Sequence, residues 1–64
     1  MDTEQAIEKA YNDHVSALYK ALSQAILFAN GNDDEIMAAE ARFQKGLIHA
    51  ADVRERARRL ADLE

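Results

Sequence analysis

The chain has 64 residues, a net charge of −4 and no cysteine, so it makes one small domain at most, with no disulfide and no thiolate zinc site. Its acidic balance disfavours a general nucleic-acid or anionic-membrane binder, because attraction to phosphate needs concentrated positive charge. No apolar run reaches the roughly 20 residues of a membrane span, and the acidic start MDTEQ lacks the basic and apolar regions of a signal peptide. The expectation is a soluble cytoplasmic protein.

There is no proline, and the only glycines are Gly31 and Gly46. Alanine, the best helix former, is abundant, and Glu, Gln, Lys, Arg and Leu fill much of the rest. The first predicted helix runs from about residue 3 to 30. Asp2 with Gln5 has the spacing of a capping box at its start. Two apolar seams run along it in steps of three and four. One is Ile7, Tyr11, His14, Leu18, Ala21, Ala25 and Phe28; the other is Val15, Tyr19, Leu22, Ile26 and Ala29. Each is a narrow stripe of the kind that packs against one neighbouring helix.

The concentrated breaker Asn30-Gly31-Asn32-Asp33-Asp34 follows. Gly31 can take the left-handed conformation that ends a helix without steric cost. Asn32 can cap the next helix, with Glu35 at capping-box spacing, and the three acids place negative charge at the positive end of the helix dipole. Twelve-residue calcium-loop spacing is absent, and capping accounts for every acid of the turn.

The second predicted helix runs from about residue 33 to 61. It carries an unbroken heptad of Ile36, Ala39, Phe43, Gly46, Ala50, Val53, Ala57 and Leu60, small enough for close backbone approach. Gly46 costs about 1 kcal/mol against alanine inside a helix, and its place on the core heptad implies a bulky side chain lying over it, with Phe28, Leu18 or a partner's aromatic as candidates. A secondary line of Met37, Ala41, Ile48 and Ala51, with Leu47 beside it, can serve a second interface.

A turn this short makes the helices antiparallel neighbours. The fold class is therefore all-α: residues 1–64 form a single two-helix hairpin with its turn at 31–32. One neighbour uses one seam of helix one, so the other seam points to a partner. A chain this short buries only roughly 60% of its unfolded surface by itself, and small scaffolds commonly add oligomerisation. The expected assembly is a homodimeric four-helix bundle.

Candidate chemistry is sparse. His14 and His49 fall at similar heights in a hairpin, with Asp13 and Asp52 nearby, but Asp13 and His14 point about 100° apart on a helix, so neither a metal nor any other cofactor is assigned. Arg54, Arg56, Arg58 and Arg59 form the only basic cluster. Intrahelical acids can pair with them, and no aromatic interleaves them for base stacking. No Ser–His–Asp set, glycine-rich phosphate loop or paired carboxylates in a cleft are present, so no enzymatic activity is expected.

In length, acidity and hairpin layout the chain resembles Rop-type proteins, whose hairpins dimerise into a four-helix bundle and bind RNA. In outline it is also similar to the hairpin co-chaperones of type III secretion needles and to small phage inhibitors of host factors. These are likenesses of architecture without a shared sequence motif. The residues themselves point to a non-catalytic protein-interaction module: an adaptor, co-chaperone or inhibitor. Its contact residues are Val15, Tyr19, Leu22, Ile26, Met37 and Ile48, and its partner is itself, a helix of another protein, or both. The alternative is a Rop-like RNA- or DNA-binding homodimer using Arg54, Arg56, Arg58 and Arg59.

Overall fold

A computed structural model describes residues 2–63 and consists of α1 (Thr3–Ala29) and α2 (Asp33–Asp62) packed against each other. At the start of α1, the Asp2 side chain accepts from Gln5 N at 2.8 Å, and Asp2 N donates to Gln5 Oε1 at 3.3 Å. Two otherwise orphaned amide donors are thus satisfied reciprocally. At its end, Asn30 takes the left-handed conformation with φ 50°, and Gly31 continues it with φ 84°. Asparagine tolerates this region better than most residues, and glycine enters it freely. Two left-handed residues in succession reverse the chain, and Asn32 N closes the turn onto Ala29 O at 2.9 Å. The Asn32 side chain then caps α2 by accepting from Glu35 N at 3.0 Å, without the reciprocal bond that Gln5 supplies at α1.

The line along which the helices meet differs from the strict heptads. On α1 it runs through Ile7, Tyr11, Val15, Leu18, Leu22, Ala25 and Ala29, which are half-buried or buried, whereas His14, Ala21 and Phe28 are exposed. It draws on both expected seams. On α2 it runs through Ile36, Ala39, Phe43, Gly46, Ala50, Arg54, Ala57 and Ala61, while Val53 and Leu60 turn outward. The physical reason is the helical repeat. A straight helix has 3.6 residues per turn, so a strict seven-residue stripe drifts about 20° per heptad unless the helices supercoil. The contact follows the straight helix.

The interior is thin. Among the described residues only Ala29, Ala39 and Ala50 are buried, and no large side chain is fully enclosed. The Cα envelope measures 49 × 19 × 7 Å, a plank one helix thick. Stable domains bury the apolar stripes of their elements between at least two packed layers, and this hairpin supplies one.

Candidate protein-interaction surface

Cross-helix contacts fix the register. Arg54 stands 3.6 Å from Glu8 and Arg58 stands 3.4 Å from Glu4; the His14 and His49 rings meet edge to face with centroids 6.2 Å apart. Leu18 covers Gly46, where an added Cβ would lie 2.6 Å from Leu18 Cδ2. Residues whose numbers add to 62–64 therefore stand level across the hairpin. Of the three candidates raised for covering Gly46, Leu18 is the one the hairpin places there.

The plank has two broad faces. One is a shallow channel lined by alanines interspersed with larger side chains. Near the turn it forms a depression of about 170 Å³ among Leu18, Ala21, Leu22, Ala25, Ala39, Arg42 and Phe43, so Leu22 borders this side as well as the contact line. Toward the chain ends it forms another of about 180 Å³, lined by Ala10, His14, Ala50, Val53 and Ala57 together with Ile7, Tyr11 and Arg54 of the contact line. The His14–His49 pair lies on this side.

The other face carries Glu8, Val15, Tyr19, Leu22 and Ile26 of α1, spaced by seven, four, three and four, hence on one side of the helix. Tyr19 is 65% exposed and Ile26 39%, while Val15 and Leu22 are half-buried because they also lie against α2. On α2, Leu47 and Ala51 flank the contact line, and Met37 and Ile48, eleven residues apart on one stripe, are 65% and 68% exposed farther round. By the hairpin's register Ile26 stands level with Met37 and Val15 with Ile48. Of the six residues that sequence reasoning grouped as partner contacts, Val15 and Leu22 lie partly in the helix–helix contact, Tyr19 and Ile26 are exposed beside it on α1, and Met37 and Ile48 are exposed on the outer side of α2, with Glu40 and Gln44 between the two sets. Beyond them, toward the chain ends, the same face becomes charged, with Glu8 against Arg54 and Glu4 against Arg58.

The arginines do not gather into a free cationic patch. Arg54 pairs with Glu8 and lies over the Tyr11 ring, 4.0 Å from its centroid. Arg56 pairs with Asp52 at 2.9 Å and Arg58 with Glu4. Arg59, with Leu60 and Leu63, lines an open surface near the C-terminal end. The Arg54–Tyr11 contact was missed by sequence reasoning; its only signal is that the two positions come level once the turn is placed.

Among the described residues there is no group of three or more His, Asp or Glu side chains arranged to hold a metal, no helix long and apolar enough to cross a membrane, and no unpaired buried polar side chain. Comparison with protein-family models, with curated proteins and with solved structures gives no match to this chain.

Proposed function

We propose that this protein is a non-catalytic protein-interaction module whose apolar band, built around Tyr19 and Ile26 with Met37 and Ile48 alongside, receives a second helical layer and completes a four-helix bundle. The observation that carries the proposal is the mismatch between inside and outside. Among the described residues the buried ones are three alanines, while Tyr19, Met37 and Ile48 are each more than half exposed and Ile26 is 39% exposed. Large apolar side chains left exposed together on a small chain mark an association surface, and an aromatic residue among them is a typical energetic anchor. Adaptor, co-chaperone and inhibitor are the activities such a surface serves. We assign the module to the cytoplasm, the reducing compartment that its lack of cysteine fits.

The test compares wild type with Ile26→Asp and Leu22→Asp by sedimentation and by capture of host proteins, with circular dichroism to follow helicity. Wild type should associate, with itself or a host protein, and both variants should lose that association. Leu22 also lies against α2, so Ile26→Asp carries the decision if Leu22→Asp loses helicity. A wild-type chain that stays monomeric and well folded at high micromolar concentration and retains no host protein overturns the reading.

A further inference from the structure

Resting on the interaction-module reading, we infer that the layer covering the Tyr19–Ile26 face is a second copy of this chain, related by a two-fold axis parallel to the hairpin, so that both turns lie at the same end. Two observations select this occupant and this orientation. The first is the gradient along the face. From mid-length to the turn it is largely apolar, with Val15, Tyr19, Leu22 and Ile26 on α1 level with Ile48 down to Met37 on α2 and with Glu40 and Gln44 as the polar exceptions. Its chain-end part carries acids on α1, Glu4 and Glu8, level with Arg54 and Arg58 on α2.

A two-fold along the hairpin lays α1 of each copy on α2 of the other at unchanged height. Ile26 of one copy then stands level with Met37 of the other and Val15 with Leu47 and Ile48, while Glu40 falls level with Ser23 and is the one acid set beside the apolar stretch. Glu4 and Glu8 approach the other copy's Arg58 and Arg54, so the intramolecular ion pairs extend into a network. Glu55 joins that row, so three acids stand against two arginines in each copy.

A two-fold across the hairpin does the opposite. It lays α1 on α1 and α2 on α2 with the ends exchanged. Ile26 then falls against the Gln5–Glu8 end of its mate, Met37 falls against Arg58, and Glu40 faces Glu55. Large apolar groups would be covered by charges, and two acids would be brought together. Burying a charge without a partner, or opposing like charges, disfavours an interface strongly. The second observation is size. The Cα envelope of the face, 49 by 19 Å, spans about 900 Å², against about 800 Å² per partner in a standard interface.

The experiment uses the full chain, which has no native cysteine, with Asp34→Cys as the single attachment point for a nitroxide label. Asp34 is exposed in the first turn of α2, beside the hairpin's turn. Sedimentation gives the stoichiometry, and pulsed electron resonance gives the label separation. The parallel arrangement predicts a dimer with labels within roughly 25 Å, two helix spacings plus the label arms. A dimer with labels separated by most of the 49 Å length of the hairpin overturns the inference. A monomer at high micromolar concentration also overturns it, and if that monomer binds a host protein through Ile26, the interaction-module reading survives alone. Ile48→Glu supplies a second readout. Ile48 is exposed within the hairpin, so helicity should persist in the variant while the dimer dissociation constant rises at least tenfold, and an unchanged constant rejects this face as the interface.

Discussion

The Leu18–Gly46 contact makes the sharpest quantitative test of how the helices hold together. Replacing Gly46 by alanine removes the entropic cost of glycine in a helix, a gain of about 1 kcal/mol. The new Cβ would lie 2.6 Å from Leu18 Cδ2, 3.2 Å from Cδ1 and 3.4 Å from Cγ. The two Leu18 methyls turn together about χ2, and Leu18 is half-buried, so clearing the new Cβ takes both from their present packing. Leu18 must leave its present rotamer, or the helices must move apart. An off-rotamer side chain costs about 0.5–1.5 kcal/mol. A half-buried leucine driven off its contact forfeits about half of the roughly 1.5–3 kcal/mol of full burial. Together these outweigh the propensity gain, so Gly46→Ala should destabilise by about 0.5–1.5 kcal/mol. In a Leu18→Ala background the obstruction is gone, and the same substitution should stabilise by about 1 kcal/mol. The double-mutant cycle therefore carries a coupling on the order of 2 kcal/mol. It is measured by urea or thermal unfolding at matched chain concentration, because any assembly adds a mass-action contribution to apparent stability. If Gly46→Ala stabilises both backgrounds equally, the close approach of the helices at this level is refuted.

Three further outcomes are expected. Asn32→Ala removes the acceptor for Glu35 N at the start of α2 and should lower stability by about 1 kcal/mol in the same unfolding assay, whereas Asn32→Asp should retain most of it. Lys9 Nζ donates to Asp13 Oδ2 at 2.8 Å, and this bond, reinforced by the carboxylate charge, holds the Lys9 pKa above its ordinary 10.5. The folded pKa is the raised one, so the pair's contribution is complete below the unfolded lysine value and is lost as pH climbs through the folded value, above 10.5. Titration of the Lys9 Cε resonance should show a midpoint above 10.5 that falls back in Asp13→Asn, and identical midpoints in the two proteins would remove the bond from solution. Finally, anisotropy titrations with labelled RNA and DNA at low salt should show no tight binding, since Arg54, Arg56 and Arg58 already face acids. Steeply salt-dependent binding, lost when those arginines and Arg59 become glutamine, would favour the nucleic-acid alternative instead.

The hairpin and its local punctuation were legible because they depend on short-range chemistry. Asp2 with Gln5, Gly31 in the left-handed region and Asn32 before three acids each act within four residues, so their roles follow from spacing alone. The left-handed Asn30 was not anticipated, since that conformation is less common outside glycine. The partition of side chains between the two faces was less legible. Heptad counting assigned His14, Ala21 and Phe28 to the helix contact and Val15 and Leu22 to the partner, yet the contact takes Val15 and Leu22 and leaves the other three outside. The distinction is a rotation of a fraction of a turn about the helix axis. It depends on whether two helices supercoil, which is a property of the pair and is not written in either seam. The Gly46 reading was sounder because glycine at a core position of a strong helix former implies a specific overlying group, and register then selects Leu18.

Magnitudes also explain why the Tyr19–Ile26 face, and not the channelled one, is assigned the docking role. Six of the fifteen residues lining the channel's two depressions are alanines, each of which offers little area to remove from water, and Ile7, Tyr11, Leu18, Leu22 and Phe43 among the rest are already half-buried between the helices. Its large exposed side chains are dispersed: Phe28 stands at the turn end, while Val53 and Leu60 stand toward the chain ends. On the opposite face Tyr19, Ile26, Met37 and Ile48 lie within the turn-proximal part of the plank. At about 1.5–3 kcal/mol for each large apolar side chain taken fully out of water, four of them supply roughly 6–12 kcal/mol per copy before partial exposure is discounted. The freedom lost on association costs about 4–15 kcal/mol. A symmetric pair engages that set twice, so the gain can exceed the cost, whereas the channel's exposed large groups, Phe28 at one end and Val53 and Leu60 at the other, stand too far apart to be covered as one set. Truncation reads this difference directly. Met37→Ala with Ile48→Ala should abolish association while leaving the hairpin helical, since both side chains are more than half exposed within it. Phe28→Ala, at a residue 78% exposed on the other side, should leave the mass in solution unchanged. The reverse pattern would move the interface to the channel.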